Sequence, residues 1–390
     1  MPALSILIKP VSGLCNLECS YCFYKDVTAH REVADYGRMK IETMFELIDR
    51  AFEYADASVS FAFQGGEPLL AGLAFYQMFV DRVRKMNKNQ IPVQFAIQTN
   101  GMRINTEWVT FFSENRFLVG LSIDGTRTIH NMWRKTGLGQ GSYTEAIDAF
   151  EQLTAQKVET NILCVVTEQL GREPESVYRH LREIGADFMQ FIPCLNPLDA
   201  TAGAYALSAE TYGAFLCKIF DLWYFDITHG PWVSIRYFDN LLQILLGYPP
   251  ESCDMAGRCS INAVVESDGS VYPCDFYVLD EWRMGSVAKD GFKSLAETEQ
   301  AVRFIGRSIH KSEGCKRCLY EKLCRTGCTR HKEPFDGGMP SANRFCEAYR
   351  LFFGYALPRL ASVARQIQAI NASRQSMDSI YSGEERASDE

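Results

Sequence analysis

The segment Cys15–Cys22 places three thiols within eight residues, in the spacing C-x3-C-x2-C. Three thiolates this close together can hold three irons of a [4Fe–4S] cube and leave the fourth iron without a protein ligand. Such an open iron can bind a small molecule through that molecule's own donor atoms. The alternative is a zinc site, which needs a fourth ligand nearby; the nearest candidate, His30, lies eight residues on without the usual spacing. The motif predicts a reactive cluster on Cys15, Cys19 and Cys22.

Eight further cysteines crowd into the C-terminal part of the chain, which is two complete sets of four ligands. Within them the run from Cys315 to Cys328 packs four thiols into fourteen residues, a density that core packing does not explain. Spacing leaves the grouping open: that run as a local set is the simplest interpretation, an interleaved arrangement is equally compatible, and a zinc ribbon is the alternative. The eight are Cys253, Cys259, Cys274, Cys315, Cys318, Cys324, Cys328 and Cys346.

Composition is that of an ordinary globular protein, with 47% hydrophobic and 23% charged residues in 390. A formal charge of −8 and the lack of a basic run argue against nucleic-acid binding. No signal peptide or membrane span is evident, so we expect a cytosolic protein, in which a content of fourteen cysteines points to metal ligation before disulfides. The three cysteines outside the motifs, Cys164, Cys194 and Cys217, are expected to be buried small hydrophobic residues.

Short apolar runs alternate with helical patterns in the first half of the chain, which predicts an α/β fold with a partial barrel of six strand–helix units. Functional loops of such a barrel follow the carboxyl ends of the strands. The predicted strands begin at Leu4, Val59, Val93, Phe117, Thr160 and Phe188. The predicted helices between them are 41–54, 74–87, 106–115 and 143–157.

The alternation stops after Pro197, where 208–229 and 231–246 are predicted to be helical. A β-hairpin turning at Asp268-Gly269 and a long helix over 345–370 follow. We therefore expect a barrel domain at 1–230, a cysteine-rich domain at 231–370 and a disordered acidic tail at 371–390.

Several motifs together resemble one family, the radical S-adenosylmethionine enzymes with a SPASM-type C-terminal domain. They are IKPVSGLCNLECSYCFY, FAFQGGEP, FLVGLSIDG, NILCVVT, VSIRYFD and VVESDGSVYPCDFYVLD. The match is closer still to the anaerobic sulfatase-maturating enzymes, and it runs from Met1 to about Arg365. The thiol motif alone indicates only the superfamily, whereas CDFYVLD with the cysteine ladder is much more specific.

The resemblance implies a partial (β/α)6 TIM-like barrel followed by a SPASM-type domain with a β-hairpin and helices. It also implies three [4Fe–4S] clusters, of which the two downstream, auxiliary clusters have interleaved ligands. One auxiliary cluster would be bound by Cys253, Cys259, Cys274 and Cys328. The other would be bound by Cys315, Cys318, Cys324 and Cys346.

S-adenosylmethionine is the cofactor that the resemblance implies for the open iron. Glycines after the second strand let backbone approach a ligand, and Glu67 can support the cofactor's ammonium group. An ordinary loop is the alternative interpretation of these glycines and Glu67. The two polar residues after the fourth strand are placed to meet the ribose or carboxylate of the cofactor, and turn caps are the alternative for them. The predicted cofactor contacts are Gly65, Gly66, Glu67, Ser122 and Asp124, with Tyr21 near the adenine and Leu195, alternatively a core residue, packing on it.

The implied reaction converts a cysteine or serine side chain of an unfolded sulfatase to Cα-formylglycine, through a 5′-deoxyadenosyl radical that takes hydrogen from Cβ. A base must remove a proton as well, and Asp275 matches the family's base position; an ordinary hairpin-end aspartate is the alternative. A flavodoxin- or ferredoxin-type donor would supply electrons, and the auxiliary clusters would accept one. The predicted peptide-channel residues are Tyr24, Gln64, Gln98 and Arg134, while 135–142 is a mobile lid or an ordinary surface loop.

Two other functions remain open from the sequence. One is a radical maturase of ribosomal peptides that forms thioethers or other crosslinks, although the first strand begins at about Leu4 and leaves no room for an N-terminal recognition domain. The other is a non-catalytic iron–sulfur or zinc protein, which would give the Gly-Gly-Glu-Pro loop no purpose.

Overall fold

The computed structural model describes residues 2–199, 203–335 and 342–387, with side chains as far as 373. Six parallel strands form the centre of the fold, in the order β1 to β6 along both chain and sheet. The six predicted strands are therefore confirmed, each within one residue at its start. They are β1 Ala3–Ile8, β2 Ser58–Phe63, β3 Val93–Thr99, β4 Phe117–Ser122, β5 Thr160–Val166 and β6 Phe188–Pro193.

Helices lie between these strands and bury their apolar faces against the sheet. The four predicted from periodicity are confirmed, with ends that differ by at most two residues. The helices of this half are α1 Phe23–Ala29, α2 Ile41–Tyr54, α3 Leu73–Met86, α4 Thr106–Glu114, α5 Arg127–Trp133, α6 Tyr143–Ala155, α7 Glu168–Gly171 and α8 Pro174–Glu183.

The second half adds strands to both edges of the same sheet, which has ten strands in the described residues. On one edge, β7 (Ser234–Ile235) pairs with β6. On the other edge, β8 (Ala263–Val265) pairs in parallel with β1, and β9 (Ser270–Tyr272) folds back on β8 as the predicted hairpin. Gly269 takes φ +87° at the turn, a conformation that suits glycine. A short β10 (Gly285–Ser286) completes the edge.

The remaining helices cover the barrel and enclose the cysteine-rich region. They are α9 Ala209–His229, α10 Arg236–Leu245, α11 Phe292–Ala296, α12 Glu299–Ser308, α13 Glu313–Lys316, α14 Glu321–Cys324 and α15 Cys346–Ala387. The helix predicted over 231–246 is wrong at its start, because residues 234–235 pair with the edge of β6 before α10 begins. No helix of the described residues is long and apolar enough to cross a membrane.

The last helix continues to Ala387, across most of the segment 371–390 that we predict to be disordered. Residues 388–390 lie outside the described part of the chain, and the disorder of the tail stays a prediction. Two buried apolar clusters hold the fold together: one around Phe61, Phe79 and Phe117 on the first strands, the other where α9 and α15 pack. Cys164 and Cys194 are buried in the second and Cys217 packs against it, as predicted for these three thiols.

Candidate active site

The three thiols of C-x3-C-x2-C lie in the loop between β1 and α1. The Cys22 amide donates to the Cys19 carbonyl at 3.2 Å, and the Leu17 amide donates to Cys15 Sγ at 3.4 Å. Burial raises the pKa of Cys15 to about 12 and that of Cys19 to about 11, and neighbouring thiolates add to both effects. Thiolates gathered in an apolar surrounding need a compensating cation, which the irons of a cluster supply. This donor set therefore fits an iron–sulfur cluster.

The glycine pair after β2 allows this second loop to touch the thiol loop. Gly65 and Gly66 have φ of +107° and +57°. A Cβ added to Gly66 would lie only 2.2 Å from the Leu14 carbonyl oxygen, and the Glu67 amide donates to the same oxygen at 2.8 Å. Only glycine permits both the backbone conformation and this approach. The Gly-Gly-Glu-Pro loop is thus built against the cysteine loop and is more than an ordinary surface turn.

Glu67 is 1% exposed and ties this loop to the end of β3. Its carboxylate accepts hydrogen bonds from the Leu69 amide (3.0 Å), the Thr99 hydroxyl (2.7 Å) and the Asn100 amide (2.8 Å). Burial raises the pKa of Glu67 to about 7, against the opposing effect of these hydrogen bonds. The Asn100 side chain in turn donates to Asn16 in the thiol loop at 2.8 Å. The protein itself uses this carboxylate, and its contact with a cofactor ammonium stays a prediction.

Asp124, after β4, is 1% exposed and organises two other predicted site residues. It accepts hydrogen bonds from the Tyr21 hydroxyl, from Arg134 Nε at 2.7 Å and from the Val165 amide at 2.9 Å. Burial alone would raise the pKa of Asp124, but the Arg134 charge outweighs it and holds the pKa below its usual value. Asp124 therefore positions Tyr21 and Arg134, and its direct contact with a ribose or carboxylate stays a prediction.

Arg134 lies close to Cys19 in the first thiol loop. It is 7% exposed, it lies 5.5 Å from the centre of the Tyr21 ring, and its charge opposes the rise in the pKa of Cys19. We predicted a place in the peptide channel for Arg134 from its position after a strand. The ion pair with Asp124, across α5, holds Arg134 near Cys19, and its place in the peptide channel stays a prediction.

Ser122 and Gln98 meet inside the barrel, where Gln98 Nε2 donates to Ser122 Oγ at 3.0 Å. Gly120 makes room for this amide, because a Cβ there would lie 2.1 Å from Gln98 Oε1. Leu195 is half-buried after β6. The loop 135–142 is a short hairpin closed by a Lys135–Gly141 bridge, and the Lys135 carbonyl accepts from the Glu18 amide in the thiol loop at 2.6 Å. These contacts favour an anchored loop over a mobile lid.

Asp275 follows Cys274 and reaches the residues after β1 and β2. Tyr24 donates its hydroxyl to Asp275 Oδ2 at 2.5 Å, and Gln64 Nε2 lies 3.4 Å from the same oxygen. Burial raises the pKa of Asp275, while the neighbouring Lys9 and Tyr24 oppose the rise. The structure therefore brings Tyr24 and Gln64 together at the predicted base, while Gln98 and Arg134 lie elsewhere. A half-buried carboxylate with a raised pKa is suited to accept a proton.

Two features of this region are missing from the sequence-based prediction. Lys9 is fully buried beside Asp275, and its only signal in the sequence is a lysine that directly follows a buried strand. Arg31 and Glu266 form a fully buried ion pair at 2.7 Å that joins the loop after α1 to the hairpin turn. No local pattern marks this pair, because the two residues are 235 positions apart.

One set of four downstream thiols lines a single cleft. The set is the interleaved one that the resemblance implies: Cys253, Cys259, Cys274 and Cys328. Burial raises the pKa of Cys328, and the charges of Cys253 and Cys259 add to the rise. Cys328 thus faces thiols far away in the sequence, and the geometry does not favour the local set that we considered simplest.

The other four thiols form a second group around Cys324. Burial raises the pKa of Cys324 to about 12, and the neighbouring thiols of Cys346, Cys315 and Cys318 add to the rise. Across the described ranges, no three His, Cys, Asp or Glu side chains converge closely enough to hold one metal ion.

Comparison with known proteins bears directly on this arrangement. The family model of the radical SAM superfamily matches residues 10–181, and that of the SPASM iron–sulfur cluster-binding domain matches residues 253–319. Together, the two models indicate iron–sulfur clusters and S-adenosylmethionine as cofactors.

Three relatives narrow the family further. A cysteine-type anaerobic sulfatase-maturating enzyme of Clostridium perfringens is 46% identical over 94% of this chain and 100% of its own length. A serine-type enzyme of Bacteroides thetaiotaomicron is 28% identical over 97% and 96%. The solved structure of native anSMEcpe with bound AdoMet and Cp18Cys peptide matches with a TM-score of 0.90 and 45% identity over 94% and 100%. The chain belongs to the anaerobic sulfatase-maturating enzymes, a family of radical S-adenosylmethionine enzymes with a SPASM domain.

Proposed function

We propose that this protein oxidises a cysteine side chain of a sulfatase polypeptide to Cα-formylglycine. The observation that carries the proposal is the half-buried Asp275, with Tyr24 on one oxygen, next to a thiol that lines the cleft of the first set of four thiols. The preference for cysteine rests on identity to the cysteine-type enzymes, which is 44–46%, against 28% to the serine-type ones. The relatives' common name, sulfatase-maturating enzyme, favours this reaction over peptide crosslinking or a non-catalytic role.

Cys15, Cys19 and Cys22 would hold the first cluster and leave one iron open for S-adenosylmethionine. When bound, this pair of cofactors supplies the 5′-deoxyadenosyl radical that removes a hydrogen atom from the substrate Cβ. Around it, Gly65 and Gly66 keep the backbone close to the thiol loop, and Arg134 offers a guanidinium beside Cys19 to an anionic group. Tyr21, Ser122 and Leu195 would contact the cofactor from the ends of β1, β4 and β6.

Asp275 would accept the proton of the substrate thiol. Loss of a hydrogen atom from Cβ, of this proton and of one electron would leave a thioaldehyde, which water would hydrolyse to the aldehyde with release of hydrogen sulfide. Tyr24 and Gln64 both contact Oδ2, whereas Oδ1 accepts no hydrogen bond among the described residues and lies 3.9 Å from Lys9 Nζ. The remaining electron would pass to the auxiliary clusters, one on Cys253, Cys259, Cys274 and Cys328 and the other on Cys315, Cys318, Cys324 and Cys346. A flavodoxin- or ferredoxin-type protein would reduce the first cluster.

A peptide assay tests the proposed substrate. Under anaerobic reducing conditions, the enzyme should convert a sulfatase-type peptide containing Cys-x-Pro-x-Arg to the aldehyde, detected by mass spectrometry, because Asp275 can take the thiol proton. The same peptide with Ala in place of Cys is the matched control and should stay unchanged. A peptide with Ser should react more slowly; equal or faster conversion of Ser would contradict the cysteine preference, and no aldehyde from either would contradict the proposal.

Iron content tests the three clusters. After anaerobic reconstitution we expect about twelve irons per chain, since each of three cubes contains four. Cys328→Ala should remove about four of them, whereas Cys217→Ser, which changes a thiol outside both sets, should remove none. The measurement is iron and zinc analysis of purified protein. Stoichiometric zinc in place of iron, or full iron in Cys328→Ala, is the result that contradicts the assignment.

A further inference from the structure

Lys9 is a buried lysine at the junction of the barrel and the β8–β9 hairpin. It directly follows β1, its amide donates to the Val265 carbonyl at 2.9 Å, and its side chain is 0% exposed. The side chain passes beneath Gly65, where an added Cβ would lie 2.7 Å from Lys9 Cε. Packing therefore restricts the direction of this side chain, which can reach only the space beside Asp275.

The ammonium group of Lys9 has no hydrogen-bond partner among the described residues, and neither has Asp275 Oδ1. The two atoms lie 3.9 Å apart, and the ammonium lies 4.5 Å from the centre of the Tyr24 ring. A buried ammonium is costly unless a counter-charge accompanies it, so this pair is an ionic contact and not an accident of packing. Both atoms are shielded from solvent, so the charge of each is compensated by the other.

The other charges near Asp275 do not provide a comparable cation. Arg31 is 2.7 Å from Glu266 and is committed to it, since both side chains are fully buried. Cys274, adjacent to Asp275 in the chain, belongs to a set of thiols that are anionic when they bind metal. Asp275 is therefore surrounded by acidic groups on the hairpin side, and the Lys9 ammonium supplies the positive charge on the barrel side.

We infer that Lys9 is a positioning residue for Asp275: its ammonium lies against Oδ1 while Tyr24 donates to Oδ2, so that the two contacts together fix the orientation of the carboxylate. This inference rests on the proposed function, in which Asp275 is the base. Lys9 acts through Asp275 and through the Tyr24 ring beneath it. The consequence is that the two charged side chains should behave as one unit in catalysis.

A double-mutant cycle tests this coupling with Lys9→Met, Asp275→Asn and the double variant of the full-length holoenzyme. Lys9→Met keeps the length of the side chain but removes its charge, and should lower aldehyde formation at least 10-fold with little change in the KM of the peptide. Formation of 5′-deoxyadenosine should continue. In the Asp275→Asn background, Lys9→Met should lower aldehyde formation by less than twofold, because the carboxylate on which Lys9 acts is already absent. Lys85→Met, on the exposed face of α3, is the control and should change nothing.

The outcomes separate the inference from the function on which it rests. Full activity of Asp275→Asn would overturn the base assignment itself. Loss of activity in Asp275→Asn with full activity in Lys9→Met, or equal losses from Lys9→Met in both backgrounds, would overturn only the role of Lys9. If Lys9→Met fails to retain iron, the iron content of the double variant decides. Retained iron in the double variant supports the charge pair, because the unpaired carboxylate is gone. Loss of iron in both Lys9→Met and the double variant shows that Lys9 serves packing alone.

Discussion

Cys15→Ala is expected to abolish cleavage of S-adenosylmethionine and aldehyde formation together. Cys15 is one of only three thiols in the loop between β1 and α1, and a cube held at two corners would have two open irons instead of one. The Cys15 sulfur also accepts the Leu17 amide at 3.4 Å, which fixes its direction within the loop. Without it, the first cluster loses both a ligand and the geometry that leaves a single iron open.

The measurement for Cys15→Ala is 5′-deoxyadenosine formed by the reduced enzyme, together with its iron content. We expect about four irons fewer than in the unchanged enzyme, with the auxiliary clusters retained, because their thiols lie in another part of the fold. Cys217→Ala, which alters a half-buried thiol on α9, is the matched control and should cleave the cofactor normally. Cofactor cleavage at the original rate in Cys15→Ala would remove this thiol from the reactive site.

Asp275→Asn is expected to separate the two halves of the reaction. Losing a positioned base typically costs 10²- to 10⁴-fold, so aldehyde formation should fall by about this factor. Cofactor cleavage should continue, because Asp275 contacts Tyr24, Gln64 and Lys9 and none of the three thiols of the first loop. Asparagine preserves the size of the side chain and can still meet Tyr24, so the loss would report on the proton and not on packing.

The measurement for Asp275→Asn is the ratio of 5′-deoxyadenosine to aldehyde product, which should rise sharply. Asp280→Asn, at an exposed position five residues further along the same segment, is the control and should keep the original ratio. If Asp275→Asn and Asp280→Asn both form as much aldehyde as the unchanged enzyme, Asp275 is not the base. If Asp275→Asn also stops cofactor cleavage, its role lies in holding the site together.

Periodicity predicted the barrel strands well because each strand is buried on both faces and reads as a continuous apolar run, as in TNILCVV. The predicted helices of this half succeeded for a related reason, since each has one apolar face. The prediction failed at 231–235 because β7 has only two residues, too few to show a periodic pattern. It pairs with β6, which lies more than forty positions earlier in the chain, and no local sequence pattern indicates this pairing.

The site was predicted in part. Residues within one motif, such as the three thiols and the glycine pair, were identified because their chemistry requires neighbours in the chain. Asp124 and Arg134 were found but expected to meet ligands, whereas their mutual ion pair occupies the buried carboxylate. Lys9 and the Arg31–Glu266 pair were missed, because a buried charge can be interpreted only when its partner is known.

The sequence by itself indicated the reaction class, because the thiol spacing together with the other motifs resembles one family. It also established that eight downstream thiols exist, but not how they pair. Tertiary structure brings Cys328 close to Cys253 and Cys259, which favours the interleaved grouping, and it decides where Asp275 lies, by pairing β8 with β1. Ligand spacing within a loop is a local property of the chain, whereas the meeting of Asp275 with Lys9 and Tyr24 depends on sheet pairing between residues about 250 positions apart.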